Sequence, residues 1–262
     1  MTAHSRVAVV VGVGDVVGRS CAVGLVQHVE VVVVIDPSEP AAEQAAVAVE
    51  EAGGEAMRHA ADLTDVVAME RAAEAVAAHH PAVHALVNCH CAIDWASIQA
   101  SSMADWEAVV RTNVLGPVVA LKAFLPLLER AGDAAVVNLG SIDGFQGNPR
   151  VPSYSASKGA VPALTHVMAH ELAPLGIRVN CVARAAVEEP SVVAAAPVLH
   201  GDAMACTPLG RPARGEEVAR VVSFLAGADA SYVTGSTLVV DGGRSGLTPG
   251  TAVRTQDAPR AT

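Results

Sequence analysis

Short apolar runs recur along the chain, and the stretches between them change period. The runs at 7–12, 31–35, 56–60, 83–88, 134–139, 177–182 and 237–240 are four to six residues long, most of them rich in Val and Ala. That length and composition predict buried strands. Between them, 18–28, 40–52, 66–79, 103–130, 153–174 and 215–227 carry small and apolar residues at helical spacing. The alternation predicts an α/β fold: a doubly wound parallel sheet of about seven strands, right-handed crossovers, and helices on both faces. No linker or composition break interrupts the rhythm, so one domain is expected over 1–262. Two stretches escape it. Residues 187–212 are irregular and are expected to form a substrate lid or binding loop. The polar, Gly- and Pro-containing 245–262 is expected to be a flexible tail.

Composition narrows the partners. The 262 residues are 52% hydrophobic but only 3% aromatic, a core of small branched side chains that suits parallel strands covered on both faces. A net charge of −10 repels a phosphate backbone, so no nucleic-acid partner is expected. No stretch reaches roughly 18 uninterrupted apolar residues, so no membrane partner is expected. Met1 to Arg6 leads directly into the first strand and lacks the pattern of a signal peptide. The five cysteines, at 21, 89, 91, 181 and 206, are an odd number in a long chain and read as reduced thiols in the cytoplasm.

The chemistry concentrates in two places. Tyr154-Ser155-Ala156-Ser157-Lys158 puts a tyrosine and a lysine on one helix face. The lysine charge is expected to lower the phenol pKa and make Tyr154 a general acid/base. Ser141 closes the fifth apolar run, at a strand end, where ligands of open parallel sheets bind. The plainer alternative is an exposed Tyr and Lys on a surface helix. At the other place, the first strand runs into Gly12-Val13-Gly14-Asp15-Val16-Val17-Gly18 and a helix. Such a turn aims backbone N–H groups and a helix N-terminus at a pyrophosphate. Asp36 ends the second strand 24 residues after Gly12, where a carboxylate would hold an adenosine ribose. With Asp15 nearby and no Arg or Lys closely following Asp36, NAD is expected to be favoured over NADP. Arg19 is the one nearby cation, facing either a phosphate or solvent.

From roughly residue 5 to 245 the chain resembles the short-chain dehydrogenase/reductase superfamily. The pieces stand in order: the Gly-rich turn, Asp62 in A-D-L-T-D, Asn88 after the fourth strand, Asn113 in R-T-N-V-L-G, Ser141 in N-L-G-S-I, Y-S-A-S-K, I-R-V-N and V-T-G-S-T-L-V-V-D-G-G. The resemblance implies a Rossmann-type sheet with a nicotinamide cofactor across its carboxyl edge. By that similarity Tyr154 is the proton donor or acceptor, and Ser141 bonds the substrate oxygen. Lys158 tunes Tyr154 and holds the nicotinamide ribose, while Asn113 holds a relay water. Gly12, Gly14, Val17, Gly18, Asp36, Asp62, Leu63, Asn88, Tyr154, Lys158 and Val187 would bind the cofactor. A small-molecule substrate and a homo-oligomer, tetramer or dimer, are implied as well.

The departures from the family pattern cluster at the cofactor. Val11 and Val16 stand for the usual Thr and middle Gly, and a β-branched Val16 is expected to crowd the pyrophosphate. The family's N-N-A-G is Asn88-Cys89-His90-Cys91, its P-G after the sixth strand is Arg184-Ala185, and its following Thr is Glu189. A carboxylate at 189 would repel the pyrophosphate or turn to solvent. Cys89-His90-Cys91 also invites a metal reading, but neighbours on a strand point to opposite faces and zinc sites use wider spacings, so no metal is expected. His79-His80 reads as a solvated helix end. Asp143, Gln146, Asn148 and Arg150 stand evenly between substrate contacts and a solvated loop, and Asp94 and Trp95 are weaker candidates for the same wall. Trp106 and Phe124 fill the monomer core or join a helical dimer contact.

The leading expectation is hydride transfer between NAD(H) and a secondary alcohol or ketone. A second enzyme reading is NADPH-dependent reduction of 3-oxoacyl thioesters, which the two acids near the ribose oppose. From another class, the altered turn allows a catalytically silent dinucleotide-fold protein that acts in binding or assembly.

Overall fold

A computed structural model of the chain describes residues 5–189 and 205–246. The central portion of the expected lid, 190–204, and most of the expected tail, 247–262, lie outside the described residues.

Seven parallel strands form one sheet in the order β3-β2-β1-β4-β5-β6-β7. They are β1 (Val7–Val11), β2 (Val31–Asp36), β3 (Glu55–Ala60), β4 (Ala85–Asn88), β5 (Ala135–Ser141), β6 (Arg178–Arg184) and β7 (Thr237–Val240). Every residue of β1, β2, β4 and β5 is buried, which is why these strands read as continuous Val-rich runs rather than as alternating ones. The edge strand β3 is largely half-exposed and carries Glu55, Arg58 and His59. Charged side chains on an edge discourage pairing with another chain.

Successive β1 side chains enter opposite layers. Val7, Val9 and Val11 pack with α3 (Val66–Ala77), α5 (Gly116–Ala131) and α7 (Pro152–Leu172). Ala8 and Val10 pack with α1 (Val16–Leu25), α2 (Glu39–Glu51) and α8 (Gly215–Ala226). Ala and Val supply most of both layers, so helices and sheet approach closely with few large side chains. Phe124 is the largest fully buried one, so it fills the monomer core, whereas Trp106 is half-buried and bonds Ser101 Oγ at 2.9 Å.

α4 (Met103–Val110), a π-turn (Arg111–Leu115) and α5 form one 29-residue helical rod. It begins at a reciprocal cap between Ser102 and Asp105. By length and composition alone the rod is long and apolar enough to cross a membrane. Its apolar character has another use here: Val109, Ala120, Phe124, Leu127 and Leu128 are buried in the core.

The strand order reverses between β1 and β4, which lie side by side with Val11 opposite Asn88. In open parallel sheets the crevice beyond the strand ends at this switch point receives ligands. The Gly-rich turn, Asp36 and the segment after β4 all emerge there.

Candidate active site

β5 runs two residues beyond its apolar part because its ladder with β6 continues through Gly140↔Ala183 and Ser141↔Arg184. That extension delivers Ser141 to the carboxyl edge. The chain then turns into the short α6 (Asp143–Gln146), with Ser141 Oγ accepting from Asp143 N–H at 3.1 Å. α6 presses directly on α7 because residue 144 is glycine; a Cβ there would lie 2.5 Å from the Lys158 carbonyl carbon. α7 presents Tyr154 and Lys158 one turn apart. Tyr154 is 4% exposed and packs with Val109 and Val151, with Ser141 close enough to act on its phenol. The Lys158 ammonium lies 5.8 Å from the Tyr154 ring centroid. It donates to the carbonyls of His90 and Leu139, both at 2.8 Å, so it ties α7 to the ends of β4 and β5.

Asn113 sits in the π-turn. Pro117, four residues on, has no N–H to return to its carbonyl, and Gly116 N–H reaches back five residues to Arg111. Interruptions of this kind often mark functional positions. The Asn113 amide accepts from Ala92 N–H at 2.7 Å and donates to Ala92 O at 2.8 Å and Ser157 Oγ at 2.9 Å. Ser157 in turn donates to the Tyr154 carbonyl at 2.7 Å. The structure therefore brings Asn113, Ser141, Tyr154 and Lys158 into one connected corner. Ser157, which sequence reasoning passed over, is part of it. The usable signal was a small hydroxyl three residues after Tyr154, able to bond back along the helix.

The electrostatics of the corner differ from expectation. Burial pushes the Tyr154 phenol well above its ordinary value, and Cys91 adds to the rise. The principal group opposing it is the Arg184 guanidinium, followed by the Ser141 side chain. The Arg184 charge does not bring the phenol down, because desolvation outweighs it. Burial also lowers Lys158 itself. Burial opposes the Arg184 charge, but Tyr154, Cys91 and Asp15 outweigh it and hold the guanidinium firmly protonated. Arg184 stands between the two halves of the site, with Nη2 3.8 Å from Cys91 Sγ and 3.9 Å from Asp15 Oδ2.

At the Gly-rich turn, Gly12 has φ +87° and donates to Ile35 O at 2.8 Å. Gly18 must be bare, since a Cβ would lie 2.2 Å from Gly12 O. The Asp36 carboxylate reaches over Gly14; a Cβ on Gly14 would stand 3.2 Å from Asp36 Oδ2. Asp15 caps α1 by accepting from Gly18 N–H at 2.8 Å. Val16 does not project across the turn as crowding required. Its side chain packs against α8, where a Cβ on Gly215 would meet Val16 Cγ1 at 3.0 Å. Glu189, from the segment after β6, accepts from Val16 N–H at 2.9 Å.

The remaining nucleotide candidates divide. Val17 and Leu63 are buried in the two core layers, while Asp62 is exposed and folds its own turn by accepting from Thr64 N–H and Oγ. Those bonds, led by the backbone one, lower its pKa. Asn88 departs from what the resemblance implies. Its side chain is buried and donates to Asn138 Oδ1 at 2.9 Å, which continues to Thr165 on α7. Val187 bridges Ala213. His90 turns inward against Gly116; burial, then the Lys158 charge, lowers it to about 3. In the 143–153 loop, Asn148 bonds Asp143 at 3.3 Å and Ser155 at 3.0 Å, so Asn148 and Asp143 fold the loop, while Gln146 and Arg150 are exposed. Asp94 is half-buried and Trp95 exposed.

A dinucleotide fits this edge at three points: the bare turn at Gly12 and Gly18, the carboxylate at Asp36, and an α1 N-terminus that already holds an anion from the chain itself. Glu189 works against the fit, because it occupies that last point.

A family model described as enoyl-(acyl carrier protein) reductase matches residues 12–245. The chain is 36% identical to cis-4-hydroxycyclohexanecarboxylate dehydrogenase of Sinomonas cyclohexanicum, over 91% of this chain and 96% of that one. It is 33% identical to cyclohexanol dehydrogenase of Acinetobacter sp. strain SE19, over 91% and 94%. Among solved structures, an NAD+-bound xylitol dehydrogenase superposes with a TM-score of 0.84 at 27% identity, over 91% of this chain and 98% of that one.

Proposed function

The chain belongs to the short-chain dehydrogenase/reductase superfamily and is an oxidoreductase acting on CH–OH groups; within that class we propose an NAD(H)-dependent dehydrogenase of cyclic secondary alcohols. The observation that carries the reading is the meeting of Asn113, Ser141, Tyr154 and Lys158 in one buried corner, with the Lys158 ammonium 5.8 Å from the Tyr154 ring centroid. The cyclic substrate class follows the two dehydrogenases most relevant here, whose names specify cyclohexane alcohols. Exposed Ile93, Trp95 and Phe145 near the corner suit an apolar ring.

A bound nicotinamide dinucleotide would supply the hydride acceptor in oxidation and the donor in reduction. In oxidation Tyr154 accepts the substrate hydroxyl proton at its phenol oxygen, and Ser141 holds the same substrate oxygen. For that step Tyr154 starts as the phenolate, which the Lys158 ammonium, 5.8 Å from the ring centroid, would stabilise; Lys158 would also contact the cofactor ribose. Asn113 keeps α7 and the segment after β4 in register, so that donor and acceptor meet at a fixed distance. Asp36 supports NAD over NADP, since a 2′-phosphate beside Gly14 would face its carboxylate. The same argument weighs against 3-oxoacyl-thioester reduction with NADPH. A silent binding protein is favoured only by the Glu189 contact; the intact polar corner weighs against it.

Incubation of the full chain with cyclohexanol and NAD+, and separately NADP+, tests the proposal. Reduction of NAD+ faster than NADP+ is expected. No reduction of either, with cyclic and open-chain secondary alcohols alike, contradicts it.

A further inference from the structure

The segment after β6 is built to reach the Gly-rich turn. Ala213 pins it from both sides: Ala213 N–H donates to Ala186 O at 3.0 Å, and Glu188 N–H donates to Ala213 O at 2.8 Å. Two residues after this point begins α8, whose Gly215 lies against Val16. Glu189 is thereby carried to Val16 N–H, 173 residues away in sequence. On the other side of the turn, Asp15 takes Gly18 N–H and approaches Arg184 at 3.9 Å. Two first-turn N–H groups of α1 therefore already serve carboxylates. A helix N-terminus favours an anion there, and an entering pyrophosphate needs the same donors while meeting the like charges of Glu189 and Asp15.

Resting on the reading that the cofactor is a nicotinamide dinucleotide, we infer that Glu189 is an internal competitor for the pyrophosphate seat and sets the affinity for the cofactor. Dinucleotide binding is an exchange: the pyrophosphate takes Val16 N–H as the carboxylate leaves it. Affinity is lowered by whatever the Glu189 contact contributes to the empty chain. A hydrogen bond to a charged group contributes enough that its loss reads as roughly tenfold or more in affinity.

Calorimetry on the full chain tests this with three probes: NADH, ADP, and adenosine, which has no phosphate. Glu189→Ala is expected to tighten NADH and ADP about tenfold and leave adenosine unchanged, with Glu189→Gln between wild type and Glu189→Ala. Glu188→Gln is the control. It removes one charge from the adjacent residue, whose carboxylate acts on Arg211, and keeps the Val16 contact; it is expected to match wild type. Unchanged NADH affinity in Glu189→Ala overturns the inference. So does an equal gain in Glu188→Gln, which would assign the effect to net charge alone. If no variant binds NADH, ADP or adenosine, the dinucleotide reading itself fails and the inference falls with it.

Discussion

The two halves of the site satisfy their polar groups in different ways. In the catalytic corner, Asn113, Ser141, Ser157 and Lys158 bond to backbone carbonyls, backbone N–H groups and one another, within three layers of secondary structure. The corner is assembled by the fold alone. At the Gly-rich turn the donors of α1 are met by Asp15 and Glu189, charged side chains standing where a charged ligand would bind. On the proposed function, one half is preorganised for chemistry and the other must reorganise to take its cofactor. Low affinity combined with an intact catalytic step is the behaviour this contrast implies. Arg184, between Asp15 and the Tyr154 corner, is positioned to feel both.

The largest effect should separate the halves outright. Tyr154→Phe removes the proposed general acid/base and is expected to lower alcohol oxidation by about 10²–10⁴-fold, while NADH affinity measured by calorimetry stays near wild type. A parallel loss of binding would show that the halves are not separable.

Acid should break the corner next. His90 is held at about 3, against an ordinary 6.5, by burial and the Lys158 charge. Below about pH 6.5 the unfolded chain takes up a proton that the folded chain refuses, until about pH 3. Stability from this group is therefore whole above 6.5 and falls as pH drops, with a slope approaching about 1.4 kcal/mol per pH unit. Urea unfolding across that range should show His90→Gln with a flatter profile than wild type, the difference between the two isolating His90 from the other histidines. Parallel profiles would contradict this.

Gly144→Ala sharpens the same half from its other side. Its Cβ would meet Lys158 backbone at 2.5 Å, so α6 must part from α7, at a cost of roughly 1–3 kcal/mol in unfolding free energy. The rate should fall with it and cofactor affinity should not. The smallest effect belongs to the turn: Asp36→Ser is expected to narrow the NADH preference over NADPH by about tenfold, the scale of one close like-charge contact. An unchanged preference would remove Asp36 from the ribose site.

Much of this architecture is legible in the residues. The strand over 237–240 has the expected bounds, and the helices deviate by a few residues at most. What escapes local pattern is what depends on a neighbour. Gly140 and Ser141 are not apolar, yet they are strand, because β6 continues the ladder beside them. α6 exists because Gly144 allows contact with α7. Four dispersed polar residues identify the corner because the family pattern states their order. The inward turn of His90 against Gly116 and the reach of Glu189 to Val16 follow from packing across 26 and 173 positions, which no periodicity encodes. The expectation that Lys158 would lower the Tyr154 pKa is outweighed by burial, to which Val109 contributes from α4, a helix other than the one that carries both residues.

On the proposed function, a chain with a self-occupied turn still takes NAD. Calorimetric titration of the 262-residue chain with NADH and with NADPH tests it. Saturable NADH binding and weaker NADPH binding are expected. Binding of neither up to millimolar concentration, in wild type and in Glu189→Ala alike, would contradict it.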